Sequence, residues 1–260
     1  MTGNVEKKLR VIAIGIGGVS SSGKTTLAKH LGACLPNSLL LFQDLEEKVP
    51  LHEKHGVRDW EDPPGAIDWE RMANELLYVK ANGRTSDSHY SHDHLNLQNP
   101  VEVDHGVAEE WKKKFSDIHA FFAQQGEDVV WVVVDGCLLY WDPRIYNWLN
   151  IKAFLRVPEH IARKRREERQ GYYTADGGYW QDPPYYWKDI VWPAFKKAHA
   201  GLFVDGDAEH GTILSDKIPD LVVLEGANVS MTELLDSTCQ RIAEVVQEDL
   251  GNASRCLLEH

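Results

Sequence analysis

Gly18-Val19-Ser20-Ser21-Ser22-Gly23-Lys24-Thr25 satisfies G-x-x-x-x-G-K-[ST] at every fixed position. That spacing lets a turn of backbone N–H groups wrap a chain of phosphates. Lys24 adds a compact positive charge for the β- and γ-phosphates and is expected to be catalytic, while the Thr25 hydroxyl is a hard oxygen ligand suited to Mg²⁺. Gly18, Ser20, Ser21, Ser22, Gly23, Lys24, Thr25 and Thr26 are therefore the expected nucleotide-binding residues. Two carboxylates stand where they can join them. Asp44 follows the short apolar run 38–42, and Asp135 ends the run Val129 to Val134. A carboxylate at a strand tip beside bound phosphates can accept the proton of an attacking hydroxyl or hold the metal. Asp44 is expected as general base and metal-side charge, Asp135 as a metal ligand of the Walker-B kind; a helix cap and an ordinary strand end are the competing accounts.

Arg163-Lys164-Arg165-Arg166-Glu167-Glu168-Arg169 is the densest positive cluster of the chain. On a helix, Arg165 and Arg169 share a face and Arg166 points about 100° away, so two arginines can meet ATP while the third faces an acceptor. The aromatic group Tyr172, Tyr173, Tyr179, Trp180, Tyr185, Tyr186 and Trp187 follows. Flat faces beside arginines suit a stacked heteroaromatic ring, best of all a cationic one, with Trp60, Glu61 and Asp62 on one side and Tyr172 or Tyr173 on the other as the expected walls; core or lid packing is the competing account for each aromatic residue. His89, His92, Asp93, His94 and His105 have the residue types of a metal site but no regular element to fix a geometry, so a polar loop is the better account.

Elements able to position these groups are visible in the spacing. Val11 to Ile16 reads as a buried strand, with a helix after the phosphate loop, and Ser38 to Phe42 reads as a second strand. Asp68 is a helix N-cap, 81–106 a polar insertion, Glu109 to Gln124 a helix, and Asp128 to Gly136 a central parallel strand. A strand over Trp148 to Val157, a helix opened by Pro158, a lid over about 158–190, a helix from Val191 to Ala200, a strand over Leu221 to Leu224 and a helix from Met231 to Leu250 complete the chain. Strands alternating with helices predict an α/β fold with a doubly wound, mostly parallel sheet.

Composition narrows the partners. The chain has 260 residues, 43% of them hydrophobic, enough for a single domain over 1–257, and Leu258-Glu259-His260 looks like the stub of an expression tag. A formal charge of −12 repels a nucleic-acid backbone, so the expected partner is a small molecule and not a nucleic acid or a membrane. Oligomeric state is not legible. Four scattered cysteines and the absence of a leader pattern or long apolar stretch favour free thiols in a cytoplasmic setting, with the nucleus also open.

With these residues assembled, the chain resembles the nicotinamide riboside kinases within the uridine-kinase-like P-loop kinases, over about residues 10–235. The resemblance rests on Gly18 to Ala28, Gln43-Asp44, Trp60 to Trp69, Val134 to Tyr140, Arg163 to Arg169 and Val191-Trp192-Pro193. It implies a P-loop NTPase fold with a helical arginine-rich lid and transfer of phosphate from ATP, with Mg²⁺, to the 5′-hydroxyl of nicotinamide riboside in NAD salvage. It further implies Asp44 as proton acceptor, Asp62 at the ribose hydroxyls, Arg166 at the substrate, Arg165 and Arg169 at ATP, and Gly226, Ala227 and Asn228 beside adenine. The chain departs from the family in a longer lid, roughly Gly171 to Gln181, in Asp135 where glutamate is frequent, and in Glu61 where a stacking tyrosine precedes the ribose-binding aspartate. A uridine or cytidine kinase, a kinase of another small alcohol, and a regulatory ATPase are the rival readings. A base aimed at an acceptor and an arginine lid favour a kinase over a regulatory switch.

Overall fold

The computed structural model describes residues 7–43, 49–89, 99–169, 171–173 and 178–256, with side chains through residue 250. Five strands, β1 (Lys8–Gly18), β2 (Ser38–Phe42), β3 (Glu127–Gly136), β4 (Ile151–Arg156) and β7 (Leu221–Glu225), form one sheet. Their order is β2-β3-β1-β4-β7 and every pairing is parallel. Parallel strands have to be joined by crossovers, which cover both faces of the sheet, so its residues read as continuous apolar runs. β3 is the clearest case, with Val129 and the run from Trp131 to Val134 wholly buried.

Alternate side chains of the strands enter two cores. Ile14, Trp131, Val133 and Leu155 pack on one face with α1 (Lys24–Cys34), α3 (His105–Gln124) and α7 (Met231–Cys256). Ala13, Val132, Val134 and Phe154 pack on the other, with Leu76 and Val79 of α2 (Trp69–Asn82) and Trp192 and Phe195 of α6 (Trp192–His199). Asp68 caps α2 by accepting from the Arg71 N–H at 2.9 Å, as its place before the helix predicts. Asp104 does the same for α3, which begins four residues earlier than the spacing of Glu109 to Gln124 predicts. A one-turn helix, α4 (Pro143–Tyr146), precedes β4.

The lid differs from expectation in the extent of its helix. Its helix α5 (Glu159–Glu167) stops before Arg169, which sits on the turn beyond, its N–H bonded to the Arg166 carbonyl at 3.1 Å. The aromatic stretch contains a short antiparallel hairpin of β5 (Tyr172–Tyr173) and β6 (Tyr179–Trp180). A π-helical turn, Trp187–Val191, then leads into α6.

Candidate active site

Every strand of a parallel sheet points its C-terminal end to the same edge, and the loops leaving that edge form the site. Asp135 lies in register with Ile16 of β1 and with Phe42 of β2, so the end of β3 is flanked by the ends of both neighbours. The phosphate loop follows β1 directly. Gly18 has φ +139°, and a Cβ there would lie 2.3 Å from the Leu155 carbonyl oxygen, so only glycine lets the loop pass β4. Gly23, at φ +105°, caps α1 and turns its first N–H groups toward the loop.

A cleft of about 1170 Å³ opens over this loop. Ser20, Ser21, Ser22, Gly23, Lys24, Thr25 and Thr26 form its floor. The Ser21 and Ser22 hydroxyls are buried without a hydrogen-bond partner, which fits a cradle built for anionic oxygens. Lys24 is buried, its Nζ 3.3 Å from the Val19 carbonyl. Burial opposes its charge, but Cys137 and Asp135 beside it hold its pKa above the ordinary lysine value. The Thr25 hydroxyl donates to the Asp135 carboxylate. One hydroxyl and one carboxylate side by side are the donor set of a Mg²⁺ ion that keeps waters and phosphate oxygens for its remaining positions, so the residues present fit that ion.

Two sets of chain segments supply the rest of its lining and are called its two arms. One is lined by Phe42, Gln43, Trp60, Glu61, Arg166 and Tyr172. Gln43 ties it together: its N–H bonds the Asp135 carbonyl at 2.7 Å and its Oε1 accepts from the Leu138 N–H at 2.8 Å. Arg166, 7% exposed, donates from Nη1 to Glu61 at 3.1 Å, from Nε to Asp182 at 2.5 Å, and from Nη2 to Asp182 at 3.2 Å and to the Tyr172 hydroxyl at 3.0 Å. Burial opposes its charge, yet Tyr172, Glu61 and Asp182 keep its pKa well above the usual arginine value. Burial pushes Glu61 up, against the pull of Arg166. The other arm is lined by Gly226, Val229, Ser230, Met231 and Leu234 together with Asn99, Val101 and Glu102.

Arg165 and Arg166 diverge as helical geometry requires: Arg165 Nη1 donates to the Ser22 carbonyl at 3.0 Å, bringing the lid onto the phosphate loop, and Arg166 serves the opposite arm. Arg169 lines the cleft and its guanidinium lies 6.0 Å from the Tyr172 ring. Glu61 and Trp60 reach the cleft. Asp62 is on the turn that follows, its carboxylate against Gly65, and does not line the cleft. Asn228 is exposed at φ +62°, beside the lining residues Gly226 and Val229. Asp44 lies outside the described residues, as do His92, Asp93 and His94; His89 is 3.8 Å from Glu75 and His105 opens α3. Among the described residues, no three or more His, Cys, Asp or Glu side chains are grouped to hold a metal.

Asp182 and the segment 99–102 are the functional neighbours that sequence reasoning passes over. Asp182 sits in an Asp-Pro-Pro loop that reads as a turn, and only its contact with Arg166 marks it. The segment 99–102 belongs to a polar insertion expected to be merely exposed, but the His30 ring bonds the Val101 carbonyl at 2.9 Å and the Thr232 hydroxyl accepts from the Asp104 N–H at 2.9 Å, holding its end on the cleft.

No protein-family model matches the chain. It is 32% identical over 207 residues to the nicotinamide riboside kinase of Saccharomyces cerevisiae, covering 77% of this chain and 82% of that protein. The Schizosaccharomyces pombe protein of the same name is 30% identical over 216 residues, covering 80% of this chain and 87% of the relative. Nicotinamide riboside kinase 1 of Mus musculus is 25% identical over 244 residues, 94% of this chain and all of the relative.

Proposed function

This chain belongs to the nicotinamide riboside kinase family, and we infer from that membership that it transfers the γ-phosphate of a nucleoside triphosphate to the 5′-hydroxyl of nicotinamide riboside, a step of NAD salvage. The observation that carries the reading to this chain's own residues is one cleft lined both by the loop from Ser20 to Thr26 and by Trp60, Glu61, Arg166 and Tyr172.

In this reading the loop N–H groups, Ser21, Ser22 and Lys24 bind the ATP phosphates, and Arg165 and Arg169 close over them from the lid. Thr25 and Asp135 would hold Mg²⁺, which would supply positive charge to the phosphate oxygens. The riboside lies in the arm with Trp60, Glu61, Arg166 and Tyr172. Its 5′-oxygen attacks the γ-phosphorus, the bond to the β–γ bridging oxygen breaks, and the hydroxyl proton passes to a carboxylate. Asp44, next in sequence to Gln43, is the proposed acceptor of that proton. Glu61 and Asp62 are both kept as partners of the ribose hydroxyls, and the reach of Glu61 into the cleft favours Glu61. The purine takes the apolar arm beside Gly226 and Asn228. One domain, a small-molecule acceptor and a cytoplasmic setting complete the proposal; no described helix is long and apolar enough to cross a membrane.

Acceptor-dependent release of ADP, measured with nicotinamide riboside, uridine, cytidine and deoxycytidine under one set of conditions, tests it. Nicotinamide riboside is expected to give the highest kcat/KM. A higher value for uridine or cytidine assigns the chain to pyrimidine nucleosides, and ATP hydrolysis indifferent to every acceptor assigns it to the regulatory class.

A further inference from the structure

We propose that Glu209, which does not line the cleft, is a positioning residue for phosphoryl transfer: its carboxylate caps the lid helix α5 from outside the lid and thereby fixes where Arg165 meets the phosphates. The inference rests on the reading above, in which the lid closes over ATP.

Helix α5 is weakly anchored by packing. Of its nine residues only Ala162 and Arg166 are buried, and a helix of that length is not stable by itself in water. Pro158 holds its N-cap position and has no side-chain acceptor for the first free N–H groups. Glu209 supplies one from 50 residues away, its Oε1 accepting the Glu159 N–H at 2.9 Å. Glu159 in turn accepts from the Trp187 indole N–H at 3.2 Å, so the entry and the exit of the lid meet at one residue.

The turn that carries Glu209 is itself tied down. Asp207 accepts the N–H groups of Glu209 and His210 at 2.9 and 3.1 Å, the Gly211 N–H returns to the Asp207 carbonyl at 2.8 Å, and Phe203 pairs with Ile213 across its base. Arg156, at the end of β4, donates from Nη1 to the Gly211 carbonyl at 2.7 Å, which fastens the turn to the strand that leads into the lid. Within the lid, Arg166 binds Asp182 and Tyr172 and joins α5 to the segments beyond it as one body. That body meets the cleft at its far end through Arg165 on the Ser22 carbonyl, at 3.0 Å, and Arg166 on Glu61, at 3.1 Å. Arg165 lies six residues past Glu159, about 9 Å along the helix axis, so a tilt of about 10° at the capped end moves it by about 1.5 Å. A hydrogen bond of 3.0 Å does not survive that shift.

Glu209→Ala is expected to lower kcat/KM for ATP, at saturating nicotinamide riboside, at least about fivefold, the size of one lost helix cap. Glu209→Gln keeps the accepting oxygen and should stay within about twofold of the wild type. In the Arg165→Ala background the same Glu209→Ala change should cost less than about twofold, since residues that act through one contact are not additive. Urea midpoints of the variants, measured in parallel, separate folding from positioning. A shifted midpoint with unchanged kcat/KM would make Glu209 a structural cap alone. Equal losses in Glu209→Ala and Glu209→Gln would remove the hydrogen bond from the account, and an undiminished loss in the Arg165→Ala background would show that Glu209 does not act through that arginine. Each of these three results overturns the proposal. Wild-type protein with no acceptor-dependent release of ADP would overturn the functional reading instead, and the ATP affinity of the same variants, by titration calorimetry, would then decide the proposal by the same criteria.

Discussion

Arg165 and Arg166 are adjacent in sequence and opposite in circumstance. Arg165 is exposed and donates one N–H to the Ser22 carbonyl, so its removal takes little from the fold but takes a charge-assisted contact of roughly 1.5–3 kcal/mol from bound phosphates. Arg165→Ala is expected to lower kcat/KM for ATP at least tenfold and to leave the urea midpoint near that of the wild type. Arg166→Ala leaves two partly buried carboxylates without their shared cation, which costs up to about 3–5 kcal/mol. It should therefore shift the urea midpoint as well as raise KM for the riboside. Equal midpoints for the two variants would show that the buried cluster adds nothing to the fold. Position in sequence predicts that the two arginines diverge, since 100° per residue is a property of any helix. It does not predict the partners of Arg166, because Asp182 reaches it from beyond the lid hairpin, sixteen residues away.

Among the elements, the sheet was the most legible part and the lid the least. Continuous apolar runs such as Val129 to Val134 have one stable use, a parallel strand covered on both faces, and β2 falls at Ser38–Phe42 as its spacing predicts. The hairpin of β5 and β6 has only two residues in each strand, too few for any period to be read, and is held by aromatic contacts such as that of Tyr173 with Tyr179, ring centroids 5.4 Å apart. The phosphate loop combines both kinds of signal, a local motif and a distant constraint, and the constraint is testable. Gly18→Ala places a Cβ against the backbone of β4 at 2.3 Å and is expected to cost more than about 3 kcal/mol. Gly126→Ala, also at positive φ but with no atom within 4 Å of the new Cβ, should cost about 1 kcal/mol. Denaturant titration of both variants separates close approach from backbone strain, and equal losses would refute the contact with Leu155.

Over the whole molecule, a formal charge of −12 coexists with a buried neutral imidazole. His199 is 1% exposed, its ring nitrogen Nδ1 donates to the Phe195 carbonyl at 2.8 Å, and burial lowers its pKa from 6.5 to about 4. Below pH 6.5 the unfolded chain takes up a proton that the folded protein refuses. This contribution to stability is thus complete above about pH 6.5 and lost progressively toward pH 4, up to about 3 kcal/mol. His199→Gln should flatten the fall in unfolding free energy between pH 7 and pH 5, and an unchanged slope would place its origin elsewhere. The aromatic residues carry a second consequence. Of nine tryptophans, Trp131 is sealed in one core face and Trp187 and Trp192 stack in the other, while Trp60 lines the cleft and Trp180 donates to Asp182. A pyridinium ring is an electron acceptor that quenches indole emission on contact, whereas uridine is a poorer one. Adding nicotinamide riboside without nucleotide should therefore dim the intrinsic fluorescence in a saturable way that Trp60→Phe largely abolishes, so the protein's own light reports acceptor occupancy before any phosphate has moved.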